Sequence, residues 1–255
     1  HQTVTATGRL SSVSPNLHNI PVRTEKGKVF REVFVAQNNH RLLVADYNQI
    51  ELRCIAHLSS DPGLINAFND GQDIHTAVAT QVFGVNDADV TKAQREKAKM
   101  VSYGLAYGME AYGLAQRLGI ENKEAAKILN DYFSAFPSVK EYMDKAVNQA
   151  KEKGFTETLF GRKRKIPELK SSNSRVRGAA ERQAMNAGIQ GLAADIFKVA
   201  LVNLNKRLKD DNLDSAIILQ VHDEVILECP MDELAHAEEL TLEEMESAFN
   251  LKVPL

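Results

Sequence analysis

The stretch SAIILQVHDEVILEC (215–229) restricts the fold more than any other part of the chain. Two apolar runs flank His222, Asp223 and Glu224, and short apolar runs broken by a few polar residues read as strands that fold back on one another. The expectation is a buried hairpin with a charged tip. A carboxylate set between such flanks needs a reason to be there, because taking an ionised group out of water is costly. Asp-Glu is also ordinary turn chemistry, so the tip alone decides nothing. A third apolar run, RLLVAD (41–46), ends on Asp46. Paired with the hairpin, it makes a small antiparallel sheet in which Asp46 and Asp223 can meet. Two carboxylates side by side repel, and such a pair persists when a divalent cation lies between them. Oxygen-only ligands suit Mg²⁺, and two such ions form a clamp for in-line displacement at phosphorus.

The rest of the pattern is mostly helical. Residues 1–40 read as strand and turn, with TGRLSS and the loop SPNLHNIPVR marked by Pro and Asn. QIELRCIAHLS has helical periodicity. DPGLINAFNDG reads as a short helix closed by Gly71, and DIHTAVATQVFG as another with Asp73 as its cap. From 90 to 150 the pattern is helical, with breaks near Gly108, Gly119 and Pro137. FTETLFGRKRKIP suggests a small hairpin turning at Phe160-Gly161, and a long helix follows over 173–208. A last amphipathic segment, MDELAHAEELTLEEMESAF, follows the charged hairpin. The expected fold class is α+β: a small antiparallel sheet with helices, and a mainly helical part inserted between its strands.

Within that helical part, REKAKMVSYGLAYG (95–108) places Arg95, Lys99, Tyr103 and Tyr107 four residues apart. Each step of four turns about 400°, so the four side chains follow one face about 18 Å long. Two cations lead and two aromatics follow, which matches a nucleoside triphosphate with its anionic tail and flat base. On a lone helix, two such tyrosines are more often core residues. The net charge of −3 argues against coating nucleic acid by bulk charge. GRKRK (161–165) and RVRGAAER (175–182) can still line a local basic groove, or be solvated loop and helix faces. Two cysteines in 255 residues make no disulfide scaffold and no CxxC zinc pair, and seven scattered histidines lack ligand spacing. A reducing compartment is expected. No apolar run approaches the ~18 residues that span a bilayer, and no signal-peptide pattern is visible. The chain begins at His1, in what reads as the middle of a structured region, so a fragment or processed piece is expected.

Taken together, DYNQIELR (46–53), the 95–108 helix and QVHDE (220–224) resemble the three signature motifs of the family A DNA polymerases, the bacterial DNA polymerase I type. TATGRLSS, PNLHNIP, DIH and ERQAMNAGIQG (181–191) match in order and spacing, so the resemblance covers nearly the whole chain. It implies template-directed addition of dNTPs to a primer 3′ end, with two Mg²⁺ ions for which Mn²⁺ can substitute. It implies a palm from 1–71 and 181–255 and fingers from 72–180, with thumb and exonuclease-type domains lying outside this chain. Asp46 and Asp223, with the backbone carbonyl of Tyr47, would hold the metals, and Glu224 would be a supporting acid. Arg95 and Lys99 would grip the triphosphate, and Lys99 would also stabilise or protonate the leaving pyrophosphate. Tyr103 would stack on the incoming nucleotide, Tyr107 would sit near the templating base, and Glu51 would block a ribose 2′-hydroxyl. His75 and Gln49 also fall at substrate positions. Arg9, Arg182, Asn186, Gln190 and His222 would follow primer–template DNA, although Asn186 and Gln190 can equally be a polar helix face and His75 a capping or packing residue. The protein is expected to be a monomer, not secreted and not bound to a membrane, in a bacterial-type cytoplasm or a DNA-containing organelle.

The helix motif departs from the family's usual form. Glu96 stands for a second Arg, Ser102 for Asn and Tyr103 for Phe, and the tyrosine implies tolerance of dideoxynucleotides. Glu96 near a triphosphate is expected to repel it mildly. Two other classes compete: a catalytically weak nucleic-acid-binding fragment of polymerase fold, and a metal-dependent phosphodiesterase. The second leaves the Arg–Lys–Tyr–Tyr face without a use.

Overall fold

A computed structural model describes residues 1–2, 5–20 and 25–255. In chain order the elements are α1 (Glu25–Val29), β1 (His40–Asp46), α2 (Ile50–Ser59), α3 (Pro62–Asn69), α4 (Ile74–Phe83), α5 (Lys92–Ala106), α6 (Ala111–Leu118), α7 (Asn122–Ala135) and α8 (Pro137–Lys153). They continue with β2 (Phe155–Glu157), β3 (Lys163–Lys165), α9 (Ser174–Asp210), β4 (Ala216–Val221), β5 (Glu224–Pro230) and α10 (Leu234–Glu246). The mixed fold class agrees with the sequence expectation, and the helix breaks fall at Gly108, Gly119 and Pro137 as read.

The chain divides into two compact units: residues 1–48, 194–250 and 255 form one, and residues 49–193 and 251–254 the other. The palm and fingers boundaries expected at 71/72 and 180/181 both fall inside the second unit.

In the first unit the sheet order is β1-β5-β4, antiparallel throughout. Val225, Leu227 and Cys229 alternate along β5 and are buried, because successive strand residues point to opposite faces. Helix α10 packs on β1 and β5. No strand precedes His40 among the described residues, which corrects the strand expected there. Residues 5–20 lack an alternating apolar pattern and close on themselves, with Gly8 N–H donating to the Thr5 carbonyl at 3.3 Å and Ser11 N–H to that of His1 at 2.9 Å. The loop SPNLHNIPVR continues past residue 20, outside the described residues.

In the second unit, helices α2–α8 pack around buried Ile55, Ile74, Leu114, Tyr132 and Phe136. Asp61 and Asp73 cap α3 and α4 through their carboxylates, and Thr91 and Gln94 form a reciprocal capping box on α5. The hairpin β2–β3 pairs Phe155–Glu157 with Lys163–Lys165. The α9 segment that starts in this unit supplies Ala180 and Ala184 to a cluster with Val147, Ala150, Ile166 and Leu169. By length and composition α9 could cross a bilayer, contrary to the reading that no run was long enough. However, 61% of its apolar window is buried in the protein, so it serves as a core helix.

Candidate active site

Asp46 is the last residue of β1 and lies opposite Glu224, the first of β5. Val221 pairs with the same glutamate from β4, leaving His222 and Asp223 as a two-residue loop. His222 holds φ at +54°, a left-handed conformation that histidine tolerates better than most residues. Neighbours fix this tip. The Tyr47 N–H donates to the Asp223 carbonyl at 3.2 Å. The Tyr47 hydroxyl donates to the Met245 carbonyl at 2.5 Å, and its ring stands edge-on to Phe197 at 5.9 Å. His18 Nε2 lies 3.0 Å from the Gln220 carbonyl, and its ring is 5.6 Å from that of His222. The Gln220 amide donates to the His222 carbonyl.

These contacts hold three acids at one end of the sheet. Partial burial, then repulsion from Asp223 and Glu224, pushes the Asp46 pKa up to about 6, against weaker relief from His222 and the Tyr47 N–H. Burial also raises Asp223, partly offset by Arg9, whose guanidinium lies 3.9 Å from it, and by His222. The expected meeting of Asp46 and Asp223 is therefore present, and Arg9 and His222 adjoin it.

In the second unit, α5 carries Arg95, Lys99 and Tyr103, with Tyr107 as its half-exposed C-cap. Arg95 is already engaged: Nε and Nη2 bond Asp73 at 3.1 and 2.7 Å. Asp73 also accepts from the Thr76 N–H and hydroxyl, and the Arg95 bond holds its carboxyl well below the usual carboxylate range. Glu96 lies 3.8 Å from Arg95, so it is partly offset by that cation. Lys99 has no ion-pair partner among the described residues. His75 is 3% exposed, its Nδ1 lacks a hydrogen-bond partner, and its ring lies 5.6 Å from Tyr103. Burial lowers the His75 pKa, so the imidazole is neutral at pH 7. Ser102, buried, donates to the Ala98 carbonyl at 2.9 Å. Gln49 stands at the N-cap of α2 without capping it, and Glu51 is buried in the first turn.

Beyond Tyr107 the chain turns at Gly108, where φ is +69°. A Cβ there would fall 2.6 Å from the Asn186 amide nitrogen and 3.1 Å from Arg182 Cβ, so only glycine fits this close approach to α9. Gln190 donates to the Ala106 carbonyl at 3.4 Å, and Arg182 to Glu110 at 2.8 Å. Arg182, Asn186 and Gln190 thus line one face of α9 against the turn that presents Tyr107.

Residues 1–255 match DNA polymerase family A. The chain belongs to this family. Among family A relatives, the DNA polymerase I of Caldicellulosiruptor bescii is 53% identical over 254 residues, all of this chain and 30% of that protein. The DNA polymerase I of Geobacillus stearothermophilus is 50% identical over 256 residues, 29% of its length. The chain therefore spans less than a third of these curated relatives. A solved structure, the POL domain of Pol1 from M. smegmatis in complex with DNA primer-template and dNTP, superposes with a TM-score of 0.95 at 51% identity. It is matched over all of this chain and 45% of that one.

The three acids at the sheet end suit a hard divalent cation. Their donors are all oxygen, they repel one another, and Mg²⁺ is typically bound through only one or two carboxylates. Among the described residues, no group of three or more His, Cys, Asp or Glu is placed to hold a metal ion by itself. Three contacts escaped the sequence reading. Asp73 showed there only as a cap, and nothing in the spacing paired it with Arg95. Glu110 gave no signal for Arg182, 72 residues away. His18 lies inside the PNLHNIP motif, but its reach to the hairpin tip did not show.

Proposed function

We propose that this chain carries the chemistry of a DNA-directed DNA polymerase, adding deoxynucleotides to a primer 3′ end with release of pyrophosphate. The observation that carries the reading is the group of acids at the sheet end, where burial, and then repulsion from Asp223 and Glu224, raises Asp46 to about 6. Asp46, Asp223 and the Tyr47 carbonyl would hold two Mg²⁺ or Mn²⁺ ions. The chemistry such ions supply is activation of the attacking oxygen and charge stabilisation on the leaving one. Arg95 and Lys99 bind the triphosphate, and Lys99 offers its proton to the departing pyrophosphate. Tyr103 and the neutral His75 bound the nucleotide, Glu51 and Gln49 select the sugar, and Glu224 supports the acid pair. Arg9, Arg182, Asn186, Gln190 and His222 follow primer–template DNA, with Tyr107 at the templating base. Minor-groove acceptors are nearly alike in all base pairs, so donors there test pair geometry without choosing sequence. Residues 1–71 and 181–255 serve as palm and 72–180 as fingers, in a monomer acting where the DNA is, off any membrane.

Primer extension with Mg²⁺ and dNTPs, run beside Asp223→Asn, tests this. Template-directed growth with a silent variant supports it. Growth that survives Asp223→Asn, or no growth together with no dNTP-dependent thermal stabilisation, overturns it.

A further inference from the structure

Glu110 occupies the N-cap position of α6, where a carboxylate usually accepts from the first N–H groups of its own helix, yet its side chain makes no cap bond. It reaches instead to Arg182 at 2.8 Å. The pair is open to solvent, with Glu110 69% and Arg182 36% exposed, so a competing anion can reach the guanidinium. The geometry beneath it is rigid, because Gly108 is wedged against Arg182 and Asn186. Asn186, only 7% exposed, keeps a side-chain oxygen with no hydrogen-bond partner one turn along the same face. The Asn186 oxygen calls for a hydrogen-bond donor and the exposed guanidinium for an anion, a combination that nucleic acid supplies through its base N–H groups and its phosphates.

We infer that Glu110 is a built-in counter-ion of Arg182, displaced by a backbone phosphate when primer–template binds. The inference rests on the polymerase reading and deepens it: Glu110 sets how firmly that corner grips DNA. Binding exchanges one anion for another on the same guanidinium, and leaving reverses the exchange. A duplex that must shift after every addition benefits from a contact that releases at small cost. Glu110 itself touches no reacting atom; it positions Arg182 and weakens its hold.

The test is fluorescence anisotropy of a labelled primer–template with the full chain across a salt series. Wild type, Glu110→Gln, Arg182→Ala and the double variant are compared, and thermal unfolding checks that each folds. Because exposed ion pairs are worth up to ~1 kcal/mol, Glu110→Gln is expected to tighten binding about three- to fivefold. It should also steepen the dependence of log Kd on log salt by up to about one, because no displaced Glu110 is left to take up a salt cation when Arg182 moves to the phosphate. In the Arg182→Ala background the same substitution should change nothing. Equal binding by wild type and Glu110→Gln overturns the inference, and so does tightening that persists without Arg182. A wild-type chain that ignores primer–template altogether sinks the polymerase reading as well, which separates the two failures.

Discussion

The two candidate functional regions treat charge in opposite ways. At the sheet end, three acids face one another with Arg9 as a distant offset, and Asp46 is driven up to about 6. On the helical unit, Arg95 and Arg182 are each matched by an acid at 2.7–2.8 Å. The anionic site is strained without a ligand and should gain stability on loading. The cationic sites are satisfied without one, so on the proposed function their ligands would replace an internal partner. Binding at the first would add a missing charge; binding at the second would swap an existing one.

The largest effect expected from this contrast is at Asp46. A carboxyl whose folded pKa is raised contributes stability that is whole below its unfolded value of 3.8 and lost as pH rises through about 6. The metal-free chain should therefore lose stability between about pH 4 and pH 7, and Asp46→Asn should flatten that loss and raise the melting temperature at pH 8. The same variant should lower primer extension by about a thousandfold or more, the several kcal/mol that a metal's charge supplies. Mg²⁺ should stabilise wild type at pH 8 and progressively less below pH 6. Melting curves at the two pH values, with and without Mg²⁺, check this. A variant less stable than wild type at pH 8 without metal would break the comparison.

The anionic region was largely legible in the sequence, and the cationic one only by half. Apolar runs ending on Asp46 and flanking Asp223 predict strands whose ends meet, because sheet pairing is specified by period and turn length. The face from Arg95 to Tyr107 follows from helical spacing alone. The counter-ions do not, since Asp73 lies 22 residues from Arg95 and Glu110 lies 72 from Arg182. No periodicity links residues on different helices. The start of the chain also departs from the reading, since Pro- and Asn-marked sequence suggested strand yet the described residues close on local turns. The unit boundary at 193/194 falls inside the continuous helix α9, so no break in pattern could mark it.

A smaller effect should follow from Gly108→Ala, which attacks the packing that sets Arg182 beside Glu110. A Cβ at φ +69° and 2.6 Å from the Asn186 amide should cost about 2–4 kcal/mol in strain and overpacking together. Denaturant unfolding measures it directly. An unchanged midpoint would mean that the turn does not press on α9, and the paired state of Arg182 would lose its structural basis.

The smallest effect sharpens the contrast within α5 itself. Asp73→Asn keeps an oxygen for the α4 cap but removes the charge that answers Arg95. Because the pair is more than a third exposed, the expected loss is only about 0.5 kcal/mol at pH 7. A carboxyl lowered by its partner contributes stability that is present above its unfolded 3.8 and lost as pH falls below it. Wild type and Asp73→Asn should thus differ at pH 7, and the difference should begin to shrink only below about pH 4 and vanish well below pH 3. Lys99→Met is the counterpart: with no ion-pair partner to lose, its stability should match that of wild type both at pH 7 and well below pH 3 while extension falls. Paired urea titrations at the two pH values separate these cases. If Lys99→Met destabilised the chain as much as Asp73→Asn, Lys99 would have an internal partner too, and the cationic face would hold no charge kept free for its substrate.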